Sequence, residues 1–309
     1  GSLKYCFVGY GGGEHTANVH ANDNDVSIEH STIIYSQERG IYFGNASPDI
    51  NDNIIRNNLQ EGIRIEGLDA EKTLSMSNNV FSNNKWAVAT YLTEETADIS
   101  LVNNSSTGTN PEGFGRNGFG LWGSIAGNNT YTGQNDFPFI LWDDITIVED
   151  AELTLTAATT VKFNDFYDGF IVAGGLNAIG TESDSIVFTS LADDSHGGDS
   201  NGDGDATAPE PNQWSTIEYQ PGSTGSLKYC FVGYGGGEHT ANIHANDNAV
   251  SIEHSTIIYS QERGVFVGSA SPLIQYNTIS NNIADGVYTF SGALPVLNYN
   301  NIMFNGTGV

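Results

Sequence analysis

The chain has 309 residues, with 37 acidic against 10 basic side chains and a formal net charge of −27. A surface of that sign repels phosphate backbones and anionic lipid headgroups, which argues against nucleic acid as a partner. No run of about 18 apolar residues offers a membrane span in this stretch, and the two cysteines, Cys6 and Cys230, make no disulfide framework.

From the first residue the sequence is a repeat. Residues 1–48 recur at 225–272 with six substitutions: Val19/Ile243, Asp25/Ala249, Ile41/Val265, Tyr42/Phe266, Phe43/Val267 and Asn45/Ser269. The long unit is therefore 224 residues, with 1–224 a full unit and 225–309 the start of a second. The pattern is expected to be a window on a longer protein. Cys6 and Cys230 are one position in two copies, expected reduced and buried.

A shorter period runs inside the long one. A small polar column reads Cys6, Ser31, Asn53, Asn79, Asn104, Asn129, then Cys230, Ser255, Asn277 and Asn300, at spacings of 22 to 26 residues. Gly40, Gly62, Gly264, Gly286 and Gly308 form a second column, where glycine is expected to supply positive φ at a bend. Short β-rich stretches separated by Asn, Gly and Asp at this spacing predict a coil that returns above itself. The expected fold is an all-β, right-handed parallel β-helix of about 13 coils, one continuous solenoid over 1–309. Asn53, Asn79, Asn104, Asn129, Asn277 and Asn300 are expected to form an inward hydrogen-bonded ladder along its axis.

Residues 144–190 alternate apolar and polar positions with many β-branched residues, which predicts strands. A long acidic loop follows over 191–212, and the strand WSTIEYQ leads into the second copy. The order VEDAELTL, VKF, GGLNAIGTESDSIVFTS, an Asp-rich loop, W-S-x-I and SLKYCFVGYGG resembles the right-handed β-helix repeat of large bacterial and archaeal surface proteins, related in fold to pectate lyases. The resemblance covers nearly the whole chain and implies fold more than function, because this fold carries lyases, glycosidases, adhesins and inert stalks.

The sharpest chemical pattern is Asp199, Asn201, Asp203 and Asp205, oxygen-bearing side chains at alternate positions with small residues between. The loop resembles those of dockerins and thrombospondin type 3 repeats, and the first half of an EF-hand loop. It predicts a structural Ca²⁺, with Glu210 at the twelfth position and Asp193 and Asp194 near enough in sequence to complete a shell. Trp86, Trp122 and Trp142 fall in one aromatic stretch with Arg116, a candidate carbohydrate-binding groove, although aromatic rings gain more from burial than from exposure. Arg56 and Arg64 are the lyase-type basic candidates, Asp143 with Asp144 and Asp165 with Asp168 the glycosidase-type pairs, and His15, His20 and Glu14 a loose zinc pattern. Each of these is outweighed by a plain surface or turn role, and no catalytic residue is assigned.

Two functional classes follow. The first is a repeated structural or adhesive module of a secreted or cell-surface protein, with further copies of itself or surface polysaccharide as partners and end-to-end association as one outcome. The second is a β-helix that binds or cleaves polysaccharide. Near-identical copies at a long period favour the first and a non-enzymatic role, because a catalytic groove needs only one copy.

Overall fold

The computed structural model describes residues 1–13, 16–22, 26–70, 72–93, 96–238, 241–247, 249–290 and 292–308. The chain is an all-β parallel solenoid of about twelve turns, and among the described residues the one helical element is the short 3₁₀ turn Gly204–Ala206. It divides into two compact units, one made of 1–122, 129–140 and 192–208, the other of 123–128, 141–191 and 209–309.

In the first unit each coil contributes three short strands. One sheet stacks Ser2–Lys4, Ser27–Glu29, Asp49–Asn51, Leu74–Ser77 and Ile99–Val102 in parallel register, so that Leu3, Ile28, Ile50, Met76 and Leu101 fall in one inward column. A second sheet stacks Phe7–Gly9, Thr32–Ile34, Ile54–Arg56, Val80–Ser82 and Ser105–Thr107, with Val8, Ile33, Ile55 and Phe81 inward. The third runs through Ala17–Ala21, Arg39–Phe43, Glu61–Glu66 and Trp86–Leu92, aligning Val19, Ile41, Ile63 and Val88. Successive residues of a strand point to opposite faces, so alternation along each strand becomes a continuous apolar column across coils. Ile28, Ile33, Ile41, Ile50, Ile55 and Ile63 are fully buried, each worth roughly 1.5–3 kcal/mol against exposure.

The second unit repeats the plan. Glu152–Leu155, Gly175–Ile179, Thr224–Lys228, Val250–Glu253, Leu273–Gln275 and Val296–Asn298 form its first sheet. An even rung length predicts 13 coils and the structure has about twelve, because the strand Gly175–Ile179 pairs directly with Thr224–Lys228. The whole 191–212 excursion therefore lies inside one coil.

The corner between the first two sheets carries the amide ladder. Asn53 Nδ2 donates to Asn79 Oδ1 at 3.0 Å and Asn79 Nδ2 to Asn104 Oδ1 at 2.9 Å. In the second unit Asn277 Nδ2 donates to Asn300 Oδ1 at 3.1 Å. Asn129 departs from the expected column. Its amide donates to Thr96 Oγ1, while Gln134 bonds Asn104, accepting its N–H at 2.8 Å and donating to its carbonyl at 2.7 Å. The segment 108–118 lengthens this coil, so the ladder position arrives later than even spacing predicts.

The glycine column also differs from expectation, since Gly40, Gly62, Gly264 and Gly286 do not have positive φ. They are small because a neighbouring coil is close: a Cβ on Gly40 would lie 2.6 Å from the Gly62 carbonyl and 2.8 Å from Asn58 Nδ2. Positive φ occurs instead at residues directly before ladder positions, as at Tyr5, His30, Asp52, Asn78 and Asn103. Asn and Asp tolerate that conformation. Tyr and His gain stacking there, with Tyr5 on His30 at 4.9 Å and, in the second unit, Tyr229, His254, Tyr276 and Tyr299 stacked at 4.9 to 5.0 Å, close to the spacing between strands.

Candidate functional site

The acidic loop of the first unit is built on backbone contacts. Asn117 fixes its base, donating its N–H to the Ser200 carbonyl at 2.8 Å and its Nδ2 to the Asp199 carbonyl at 2.9 Å, with Ser106 Oγ holding the Asn117 amide from behind. Gly202, at φ +73°, lies where a Cβ would come within 2.8 Å of Thr109 Cγ2. The 108–118 segment is thus the seat of the loop.

Within the loop, Asp199 Oδ1 accepts the N–H groups of Gly202 and Asp203 at 2.7 and 3.1 Å, and its Oδ2 accepts that of Gly204 at 3.0 Å. Asp203 Oδ2 accepts from Asn201 Nδ2 and from Thr207 Oγ1, at 2.9 and 2.7 Å. Ligand atoms of Asp194, Asp199 and Asp203 lie within 4.8 Å of one another. Three carboxylates this close match the oxygen chemistry of a hard divalent cation. Those three would hold it.

The sequence pattern places the set differently. Asn201 turns its amide nitrogen to Asp203 and Thr207, and its oxygen accepts the Asp203 N–H at 3.3 Å. Asp205 lies in the 3₁₀ turn, exposed and outside the carboxylate group. Glu210 is also outside it, its N–H bonded to Gln213 Oε1. Asp193 is buried and turned to its own neighbours, with Oδ2 2.8 Å from His196 Nδ1. Arg116 faces this loop: burial lowers its pKa and the nearby Asp203 charge opposes that shift.

The aromatic candidates are separated by burial. Trp86 is buried, lying flat where a Cβ on Gly120 would be 2.6 Å from its ring, so it offers no open face. Trp122 is half-buried beneath the Arg64 guanidinium, whose Cζ is 4.3 Å from the ring centroid, and beside Tyr91 at 5.8 Å. Arg64 is held by Glu66 at 2.8 Å, and Arg39 by Glu61 at 3.0 Å, so the basic groups of this face are paired. Trp142, in the other unit, is exposed. Asp143 and Arg56 are exposed and Asp144 half-buried. Asp168 is buried and joined to Asp165 through a turn. His20 bonds Asn22 Oδ1, while His15 and Glu14 lie outside the described residues.

A second ladder escaped the sequence reading. Ser36 N–H donates to Asn58 Oδ1 at 3.0 Å and Asn58 Nδ2 to Asn84 Oδ1 at 2.9 Å, and in the other unit Asn282 Nδ2 donates to Asn305 Oδ1 at 2.9 Å. Its signal was present as asparagines five positions after the first ladder.

Strands paired in parallel from coil to coil, with polar ladders at the corners, define a parallel β-helix. A family model described as a right handed beta helix region matches residues 10–106. The chain is also similar to a crystal structure of a TibC-catalyzed hyper-glycosylated TibA fragment, at 11% identity and a TM-score of 0.22, covering 100% of this chain and 99% of that one. A likeness of that size bears on neither fold nor function. No curated protein matches the chain.

Proposed function

We propose that the chain is a repeated structural or adhesive module of a secreted or cell-surface protein, with a loop that takes up a structural Ca²⁺. The observation that carries this reading is the duplication at the level of register. Ser2–Lys4 pairs with Ser27–Glu29 residue for residue as Ser226, Leu227 and Lys228 pair with Ser251, Ile252 and Glu253. The same coil is thus built twice, and a repeated coil supplies length and stiffness, which scale with copy number as a catalytic groove does not. The net charge of −27 suits a module that stays soluble outside the cell, and calcium would relieve repulsion among Asp194, Asp199 and Asp203.

The test is immunolabelling of intact source cells with an antibody to 191–212, alongside a release assay on a panel of polysaccharides. Labelling without lysis and no release of saccharide is the expected result. Labelling only after lysis, or catalytic release, overturns it. One feature favours the alternative of a saccharide-binding module: Trp122, Tyr91 and Arg64 on one outward face of the first unit. Loss of binding to a glycan panel in Trp122→Ala would establish that reading.

A further inference from the structure

In the first unit a residue at positive φ stands on either side of the second sheet's short strands. L side chains other than Asn and Asp disfavour that backbone, and Asp52, Asn78 and Asn103 fill it on one side, Asn57 and Asn83 on the other. His30 and Tyr35 hold the same two corners around Thr32–Ile34, at φ of 48° and 53°. In the second unit His254 and Tyr259 flank Thr256–Ile258 in the same way, at 50° and 54°. All four rings are exposed. Asparagine suits the backbone at these corners better, so the turn itself does not call for a ring.

The two copies keep these rings while the core beside them changes. Three of the six substitutions, Val19/Ile243, Ile41/Val265 and Phe43/Val267, fall on inward positions of the third sheet. Glu29, His30, Thr32 and Tyr35 recur unchanged as Glu253, His254, Thr256 and Tyr259, and Lys4 recurs as Lys228. The rings cover one another: Tyr229 and Tyr276 each stack on His254 with centroids 4.9 Å away, and Tyr234 stacks on Tyr259 at 5.2 Å. His254 therefore offers its edge and no free face for a sugar ring to lie on. Beside this column Lys228 and Glu253 are register partners on adjacent coils, as are Lys4 and Glu29, which are joined at 2.9 Å.

We propose that this ring-bearing corner is an interaction surface present in each unit, and that its occupant is the same corner on a second copy of the chain. The two copies are related by a two-fold axis that passes between the coils of Lys228 and Glu253. Such an axis sets each Lys228 against the other chain's Glu253 and each Tyr229 against the other chain's His254, so the surface complements itself in charge. Ring columns of equal pitch also interdigitate, as identical side chains do in dry cross-β interfaces. Contact between copies accounts for exposed rings that the backbone disfavours and that stay fixed while buried side chains vary. The proposal rests on the reading of the chain as a repeated module and names the surface through which copies meet side by side. The net charge of −27 opposes approach, and physiological salt screens that repulsion beyond about 8 Å.

The test is sedimentation velocity at physiological salt over a series of concentrations. The parent chain is expected to associate reversibly as concentration rises. Replacing His30, Tyr35, His254 and Tyr259 together by Asn, the residue that other coils place at these corners, should keep parent-like circular dichroism and give a monomer throughout. His30→Asn with Tyr35→Asn leaves only the surface of the second unit. In that background Lys228→Glu should abolish the remaining association, and Lys228→Glu combined with Glu253→Lys should restore it, because exchanging both charges restores the pairing. These exchanges touch no buried side chain and decide the matter even where the four-Asn variant fails to fold. A parent that stays monomeric at the highest concentration overturns the proposal, and so does a folded four-Asn variant that associates like the parent. A double charge exchange that does not restore association overturns the two-fold occupant. Binding of a soluble glycan by the parent that the four-Asn variant loses also overturns that occupant and assigns the corner to saccharide. Saccharide release by the parent fails the module reading and leaves the association result to stand by itself.

Discussion

Asn53 gives Asn79 Oδ1 two protons, one from its side-chain amide at 3.0 Å and one from its backbone at 3.1 Å. Asn79 passes the pattern on, its own Nδ2 reaching both the Ile50 carbonyl at 2.7 Å and Asn104 Oδ1 at 2.9 Å. One fully buried amide thus satisfies polar groups of the two coils on either side of its own.

Replacing Asn79 by Ala leaves the Asn53 N–H and the Ile50 carbonyl buried without this partner, at about 1–3 kcal/mol for each group. Asn79→Ala should therefore lower stability by about 2–4 kcal/mol, read from the urea midpoint. Ser77→Ala removes a half-buried bond to Asn51 Oδ1 and should cost under about 1 kcal/mol. Equal losses in the two variants would mean that the ladder is not what holds the coils.

The ladder was legible in sequence because each coil must place a small polar residue at the same corner, and Asn53, Asn79, Asn104, Asn277 and Asn300 do so. Spacing alone puts Asn129 in the column, because it cannot see that 108–118 leaves the coil to seat another loop. Glycine admits positive φ most readily, whereas here Tyr and His occupy it under ring stacking, a gain visible only when coils are superposed. The acidic cluster is partly legible in the sequence. The EF-hand spacing reaches Asp199 and Asp203, but the chain turns into the 3₁₀ segment after Asp203, and the third carboxylate comes from Asp194 on the other side. Trp86 and Trp122 share one stretch of sequence, and only the contact with Gly120 shows which ring is inside.

Calcium at this loop should raise the melting temperature by mass action, since binding to the folded loop alone stabilises it. EDTA should lower the midpoint of the parent chain and leave Asp203→Ala unchanged. Asp205→Ala and Glu210→Ala should retain binding, because neither carboxylate belongs to the close group. Calorimetry showing no heat at millimolar Ca²⁺, or equal loss from Asp205→Ala and Asp203→Ala, would discard this ligand set.

Trp214 stacks on Phe163 with centroids 4.1 Å apart and gives its indole N–H to the Gly233 carbonyl at 2.7 Å, fully buried. Trp214→Phe keeps most of the stack and deprives that carbonyl of its donor, for an expected loss of about 1–3 kcal/mol. Trp214→Ala also opens a cavity and should cost about 3–5 kcal/mol. Both are measured by chemical unfolding. A Phe variant as unstable as the Ala variant would show that the lost hydrogen bond, and not the cavity, sets the cost.

Asp168 provides the pH test. Burial pushes its carboxyl up to about 7, the N–H groups of Asp165 and Asn164 pull the other way, and the charges of Asp165 and Asp143 add repulsion. In the unfolded chain the group titrates near 3.8. Below that pH both states hold the proton and the group is neutral to folding. Between about 4 and 7 the unfolded chain releases its proton while the folded one keeps it, so stability falls as pH rises through this window. Above about 7 the folded carboxyl ionises too, and the loss levels off at a value on the order of 4 kcal/mol. Asp168→Asn keeps an oxygen to accept the two N–H groups and cannot ionise. It should raise the unfolding midpoint at pH 8 and change it little at pH 4, by urea titration at both values. A variant equally destabilised at both pH values would show that the carboxylate is held by its hydrogen bonds and carries no burial penalty.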